Sequence, residues 1–187
     1  MRKLRHDELV EIQNRGAGAE RVPLTVVLNN IRSLYNVGGI FRTADGAGAE
    51  KLWLCGITGI PPHPRIAKTA LDAQNSVPWE YREDPVSCLR EMKSGGYEIL
   101  LLEQTNRSVP YNTYVPKGPV CLVLGNEIEG IEIGLVRECD AAIDIPMHGI
   151  KNSLNVTVAF GIAAFYLRQH LTRLCKENAE YRRAAAG

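Results

Sequence analysis

Short apolar runs alternate with helix-like stretches along most of this chain, and that alternation limits its fold more than any other feature. Residues 23–31 (PLTVVLNNI), 51–57, 97–104, 119–124 and 141–147 are rich in Val, Ile and Leu, as strands covered on both faces are. A briefer strand is expected at 79–82. Helices are expected between them: 36–49, with Asn36 as N-cap and Gly48 near its end, and 65–75, after the turn of Pro61, Pro62 and Pro64. Another spans 84–93, capped by Asp84 with Pro85 in its first position and stopped by Gly95 and Gly96. A short helix at 132–138 and a long one from 154 to about 183 complete the pattern. Residues 105–118 have no period and read as a surface loop. Such alternation predicts an α/β domain with a mostly parallel sheet flanked by helices. That domain is expected at 23–187. Residues 1–22 form a polar N-terminal extension with a short helix, spaced by Leu4, Leu9 and Ile12 and broken by Gly16 and Gly18.

A chain of 187 residues suits one domain with a substantial core. Apolar residues make up 45% and charged residues 23%, which excludes disordered, collagenous and disulfide-scaffold classes. Lys and Arg number 22 against 21 Asp and Glu, so bulk charge makes no case for a polyanionic partner, which a local patch would have to hold. The five cysteines are scattered, without a Cys-x-x-Cys, and read as buried thiols in a reducing compartment. The four histidines form no HExxH and no Cys/His cluster, so no metal is expected. The first residues lack a signal-peptide core. The apolar stretch 156–167 is interrupted by Thr157 and Gly161 and is too short to span a bilayer. The expectation is a cytoplasmic protein without a membrane partner.

In open parallel sheets, ligands bind outside the carboxyl ends of the strands. Three such ends are unusual here. The first, from Asn30 to Asp45, carries Gly38 and Gly39 after a strand and before a helix, but it is neither GxGxxG nor a Walker loop. Its Arg42, taken alone, also suits a surface ion pair. The second (LVLGNEIEGI, 122–131) runs a buried strand into Gly125, Glu127 and Gly130. Glu127 there is either a ligand or arginine partner, or an ordinary carboxylate near the next helix's start. In the third (IPMHGIKNSLNV, 145–156), Ser153 or Asn152 suits a helix cap. His148 reads as a loop histidine rather than a general base, since no partner carboxylate is recognisable.

Together, in this order and spacing, the three segments resemble the SpoU/TrmH-type RNA 2'-O-ribose methyltransferases of the SPOUT superfamily. The first resembles motif 1 (N-x(5)-N-x-G-x-x-x-R-T-A-D), the second motif 2 (LVLGNExxG) and the third motif 3 (IPMxGxxxSLNVxVA). Thr157 stands where the family usually has serine. The resemblance covers about residues 23–170 and implies a C-terminal deep trefoil knot, an exception among chain connections. It implies S-adenosylmethionine as cofactor, held near Leu102, Leu124, Gly125, Ile145, Pro146, Met147 and Leu154. The implied catalytic set is Arg42 with Asn36, Glu127, Ser153 and Asn155. A neutral guanidinium would cost roughly 7 kcal/mol near pH 7, so Arg42 is expected to stabilise the developing alkoxide rather than act as a base.

The RNA is expected to meet Arg32, Arg65, Lys68, Lys117 and Lys151. The family acts as homodimers, and the stripe Phe160, Ala164, Leu167, Leu171 is apolar, although packing on its own sheet explains it equally well. Some rRNA-directed relatives carry a separate N-terminal RNA-binding domain, and a short extension favours tRNA over rRNA. The competing reading is a catalytically inactive RNA-binding member of the same fold. A doubly wound nucleotide-binding protein is disfavoured by the missing phosphate loops.

Overall fold

The structure is a computed structural model that describes residues 1–16, 21–126 and 130–185. After helix α1 (His6–Gly16), seven strands form one sheet: β1 (Val22–Asn29), β2 (Ala49–Cys55), β3 (Trp79–Arg82), β4 (Glu98–Leu102), β5 (Val109–Pro110), β6 (Val120–Leu124) and β7 (Ala141–Asp144). Their order is β3-β2-β1-β6-β4-β7-β5, and every pairing is parallel. All the strands therefore end at one edge.

The sheet is covered on both faces, which is why its central strands read as continuous apolar runs rather than alternating ones. Leu24, Val26 and Leu28 of β1 and Leu122 and Leu124 of β6 pack on one side against α2 (Leu34–Ala47) and α7 (Val156–Ala185). Val27, Cys121 and Val123 point the other way, with Cys88 and Leu89 of α5 (Pro85–Ser94) and Leu135 of α6 (Ile133–Val136). Phe160, Ala164, Leu167 and Leu171 of α7 are all fully buried in the first cluster. The expected α7 stripe is thus core, each large side chain stabilising by roughly 1.5–3 kcal/mol, and is not a free dimer surface.

Several boundaries depart from the sequence pattern. Ser33 rather than Asn36 caps α2, its Oγ accepting from the Asn36 backbone N–H at 3.3 Å. The helix expected at 65–75 is two, α3 (Pro64–Ala70) and α4 (Ala73–Ser76), because Leu71 and Asp72 adopt φ of 49° and 69°. That break turns Ala73 and Val77 inward while Leu71 stays 60% exposed. Asp84 caps α5 as expected, accepting from Val86 N–H at 2.9 Å and Ser87 N–H at 3.2 Å. The 105–118 stretch contains β5 and a short 3-10 turn. Its Tyr166 clasp ties it to α7, the phenol lying 3.0 Å from the Asn112 carbonyl and 2.9 Å from that of Tyr114. Of the free cysteines, Cys55, Cys88 and Cys121 are buried, Cys139 is partly so, and Cys175 is exposed, contrary to its expected burial.

Asp140 fastens the amino end of β7, accepting from Ile99 N–H at 2.9 Å and from Lys93 Nζ at 2.6 Å. Desolvation opposes its charge, but these two donors outweigh it and hold its pKa below the ordinary carboxylate value. A depressed folded-state pKa stabilises above the unfolded value, and the benefit is lost as pH falls through the folded one. Asp140→Asn is expected to lower the midpoint of thermal unfolding at pH 7 and to reduce the loss of stability below about pH 4. Melting curves for both proteins across that range check this; parallel curves would remove the role.

Candidate active site

A cavity of about 330 Å³ lies at the carboxyl ends of β4, β6 and β7. Leu102, Leu124, Gly125, Ile145, Met147 and Leu154 line it, and Ser153 and Asn155 join them from the loop that leads into α7. Pro146 opens instead onto an adjoining cavity shared with Gln104 and Lys151. Four polar lining residues, Glu103, Gln104, Asn126 and Asp144, were not anticipated. The apolar runs at 97–104 and 141–147 concealed all of them but Asn126. The strands stop at Leu102 and Asp144, so the residues just beyond turn into the cavity. The signal available was the change from apolar to polar at Glu103.

Backbone contacts shape the β6 side. Asn126 and Gly130 exchange backbone hydrogen bonds of 3.2 and 3.0 Å, folding the chain back beside Gly125. A Cβ on Gly125 would lie 2.3 Å from Ile131 Cγ1 and 3.0 Å from the Gly130 carbonyl oxygen. Glycine is required there for close approach. Glu127 lies outside the described residues.

The third segment meets the first through a pair of carboxamides. Asn155 Nδ2 donates to Asn36 Oδ1 at 3.3 Å. Asn155 Oδ1 accepts from Thr157 N–H at 2.9 Å and from the Thr157 hydroxyl, so Asn155, rather than Ser153 or Asn152, caps α7. Ser153 is left to face the cavity. On the far wall, Gln104 Nε2 donates to the Asn152 carbonyl at 2.6 Å, and Ser108 Oγ reaches Asp144 Oδ2 at 2.7 Å.

Arg42 stands apart from this cavity. It is exposed on α2, six residues and about 9 Å along the axis beyond Asn36. Gly38 of α2 backs onto α3, where an added Cβ would lie 2.3 Å from the Ile66 carbonyl. Gly39 faces Thr157 of α7 at 3.0 Å on the same construction. Helical spacing puts Tyr35 and Arg42 between these two contacts, pointing outward, and both are exposed. Of the expected cations, Arg32 is exposed in the loop after β1, Arg65 and Lys68 on α3, and Lys151 in the loop after β7. All four belong to the carboxyl edge. Lys117 does not: it lies three residues before β6, at the amino edge of a parallel sheet, and leaves the patch.

Chemically, the cavity offers apolar walls for a flat aromatic group, and the carboxylates of Glu103 and Asp144 for hydroxyls or a cation. The sequence model of the SpoU rRNA Methylase family matches residues 23–165. The chain belongs to that family. Among its SpoU relatives, a 23S rRNA (guanosine-2'-O-)-methyltransferase RlmB of Ralstonia nicotianae is 34% identical over 85% of this chain and 61% of its own length. A tRNA (guanosine(18)-2'-O)-methyltransferase of Aquifex aeolicus is 32% identical over 76% of this chain and 67% of its own. In structure, the A. aeolicus TrmH/SpoU tRNA modifying enzyme superposes with a TM-score of 0.77 at 26% identity, covering 89% of this chain and 84% of that one. An AdoMet-bound rRNA methyltransferase from Sinorhizobium meliloti gives 0.74 at 32% identity, covering 82% and 57%. This chain thus spans about three fifths of the length of the Ralstonia relative. Among the described residues, no helix is long and apolar enough to cross a membrane, and no group of three or more His, Cys, Asp or Glu side chains could hold a metal ion.

Proposed function

We propose that this SpoU-family chain transfers a methyl group from S-adenosylmethionine to a ribose 2'-hydroxyl of tRNA or rRNA. The observation that carries this reading is the cavity itself: the second and third segments wall it and the Asn36–Asn155 contact ties the first to it. The residues present fit the cofactor. Leu102, Leu124, Ile145 and Leu154 suit the adenine, Gly125 allows main-chain approach, and Asp144 and Glu103 suit ribose hydroxyls and the positive charges. The bound cofactor supplies an electrophilic methyl group. The chain supplies alignment and exclusion of water. Ser153 and Asn155 hold the ribose, Asn36 fixes Asn155, and Arg42 stabilises the alkoxide while clamping a neighbouring phosphate. Glu127 is kept as a further positioning residue on resemblance alone.

A site in which Arg42 faces away from its own cavity is incomplete. An apolar face adjoins Arg42: Val158 and Phe165 of α7, seven residues apart on one side of the helix, are 50% and 52% exposed, Leu154 in the loop just before α7 is 37% exposed, and Phe165 reaches Gly46 of α2. A second copy of the chain on this face forms a homodimer and carries Arg42 toward the partner's cavity. The Gln104 and Tyr166 contacts that hold the 103–119 connection around the start of α7 support threading of the C-terminal segment into a knot. A crystal structure with residues 145–185 wholly outside that connection would remove it. Buried free thiols suit the cytoplasm.

The test is incubation with labelled S-adenosylmethionine and, separately, bulk tRNA and rRNA, followed by nuclease digestion and identification of 2'-O-methylnucleosides. Label in ribose-methylated nucleosides of either pool is the expected result, and the pool labelled names the substrate. RNA binding without cofactor binding or transfer would leave the inactive RNA-binding relative.

A further inference from the structure

The geometry points to a second binding site, a pocket for one unstacked nucleobase of the RNA, between the loop after β2 and helices α3 and α4. It rests on the reading of the chain as an RNA-directed enzyme and adds to it a place where sequence is read. A cavity of about 280 Å³ lies there, separate from the one at β4, β6 and β7, walled by Pro61, Pro62, His63, Pro64, Ala67 and the carboxamide residues Gln74 and Asn75.

Three observations suit it to a base. Proline rings and an imidazole line it, against which a planar ring stacks, and its volume admits a nucleobase. Polar groups meet at its rim. His63 Nδ1 accepts from the Arg65 backbone N–H at 3.1 Å, which leaves Nε2–H as a donor. Gln74 Oε1 is shut away from solvent and takes no hydrogen bond among the described residues, an acceptor whose need a base amino or imino group meets after a small rotation of the carboxamide. Finally, Arg65 and Lys68 on the exposed side of α3 make no ion pair among the described residues, and face solvent where phosphates can reach them.

The pocket is mechanically joined to the candidate active site. Asn126, a wall of the larger cavity, donates from Nδ2 to the Asn30 carbonyl at 2.9 Å, and Asn30 Oδ1 accepts from Ile57 N–H at 3.0 Å in the loop that leads to Pro61. The proline wall of the smaller cavity thus continues the loop after β2 from the carboxyl edge, while Gln74 and Asn75 close it from the segment that leads into β3. A strand with its target ribose at the larger cavity can lay a flanking nucleotide in the smaller one. Ribose and phosphate contacts carry no sequence information, whereas a base held by its edge and stacked does.

The full chain tests this through fluorescence anisotropy with a labelled single-stranded oligoribonucleotide and its counterpart bearing an abasic site in place of each base in turn. The wild-type protein is expected to bind the base-bearing strand about tenfold tighter than the weakest abasic one. Ala67→Trp, which plugs the cavity from an exposed helix position, is expected to bring the two affinities together. Asn75→Ala, at another exposed position, is expected to narrow the gap without disturbing the fold. Calorimetric affinity for S-adenosylmethionine should be unchanged in both variants. A wild-type protein indifferent to abasic sites, or an Ala67→Trp protein that keeps the full preference, overturns the pocket. Failure to bind S-adenosylmethionine overturns the methyltransferase reading, and leaves the anisotropy result to decide the pocket on its own.

Discussion

Gly125→Val is expected to weaken binding of S-adenosylmethionine by about a hundredfold, or 2.8 kcal/mol, while leaving the protein folded. The position sits where β6 ends and the cavity begins, and a single added carbon would already lie 2.3 Å from Ile131 Cγ1 and 3.0 Å from the Gly130 carbonyl. Ile131 can swing aside. The carbonyl belongs to backbone held by the Asn126–Gly130 bonds and cannot move without opening that loop. The cost to stability is that of modest overpacking at a strand end, about 1–3 kcal/mol, since the buried residues of β6 lie behind it. The loss of affinity falls at the upper end of that range because the displaced Gly130 backbone is part of the cavity wall. Calorimetry on the wild type, Gly125→Ala, Gly125→Val and the pair Gly125→Ala with Ile131→Ala measures it. The pair should recover part of the affinity lost by Gly125→Ala, as expected for residues in contact. A Gly125→Val protein that binds as tightly as the wild type would show that the cofactor does not use this wall.

How much of this was legible in the chain differs element by element. The central strands were plain because burial on both faces leaves no polar position to blur the run, as Val26, Val27 and Leu28 show. The helix after Asp84 was equally plain, since its cap and its proline are local chemistry. Strand ends were not. The run at 141–147 continues apolar past Asp144, but β4 pairs with β7 only as far as Ile143, and pairing is a property of the partner. The cap of α2 was misplaced for a related reason. Both Ser33 and Asn36 are capping types, and the contact with Asn155 holds the Asn36 carboxamide for the site. The gathering of the motifs 2 and 3 residues around one cavity came from resemblance, not periodicity. Lys117 shows its limit: nearness in sequence to a site strand does not say at which end of that strand a residue lies.

The position of Arg42 gives a sharper test, because one chain holds it away from its own cavity. When Arg42→Ala and Gly125→Val proteins are mixed and allowed to exchange subunits, methyl transfer is expected to return to about a quarter of the wild-type rate at a cofactor concentration near the wild-type Kd, where neither variant is appreciably active alone. Half of the dimers formed are mixed. In each of these, the Arg42→Ala copy keeps an open cavity and meets the intact guanidinium of its partner, so one of its two sites is whole. If Arg42 served the cavity of its own chain, no combination would contain a whole site and the mixture would stay silent. The same arrangement predicts that Phe165→Glu, which sets a charge on the exposed apolar face beside Gly46, yields a 20.7 kDa monomer on sedimentation. That monomer should still bind S-adenosylmethionine, because its cavity is built from one chain, and should transfer no methyl group, because no guanidinium reaches it. An active Phe165→Glu monomer would place Arg42 back in its own site, and would require α2 to turn or shift by a distance comparable to the 9 Å of helix that separates Arg42 from Asn36.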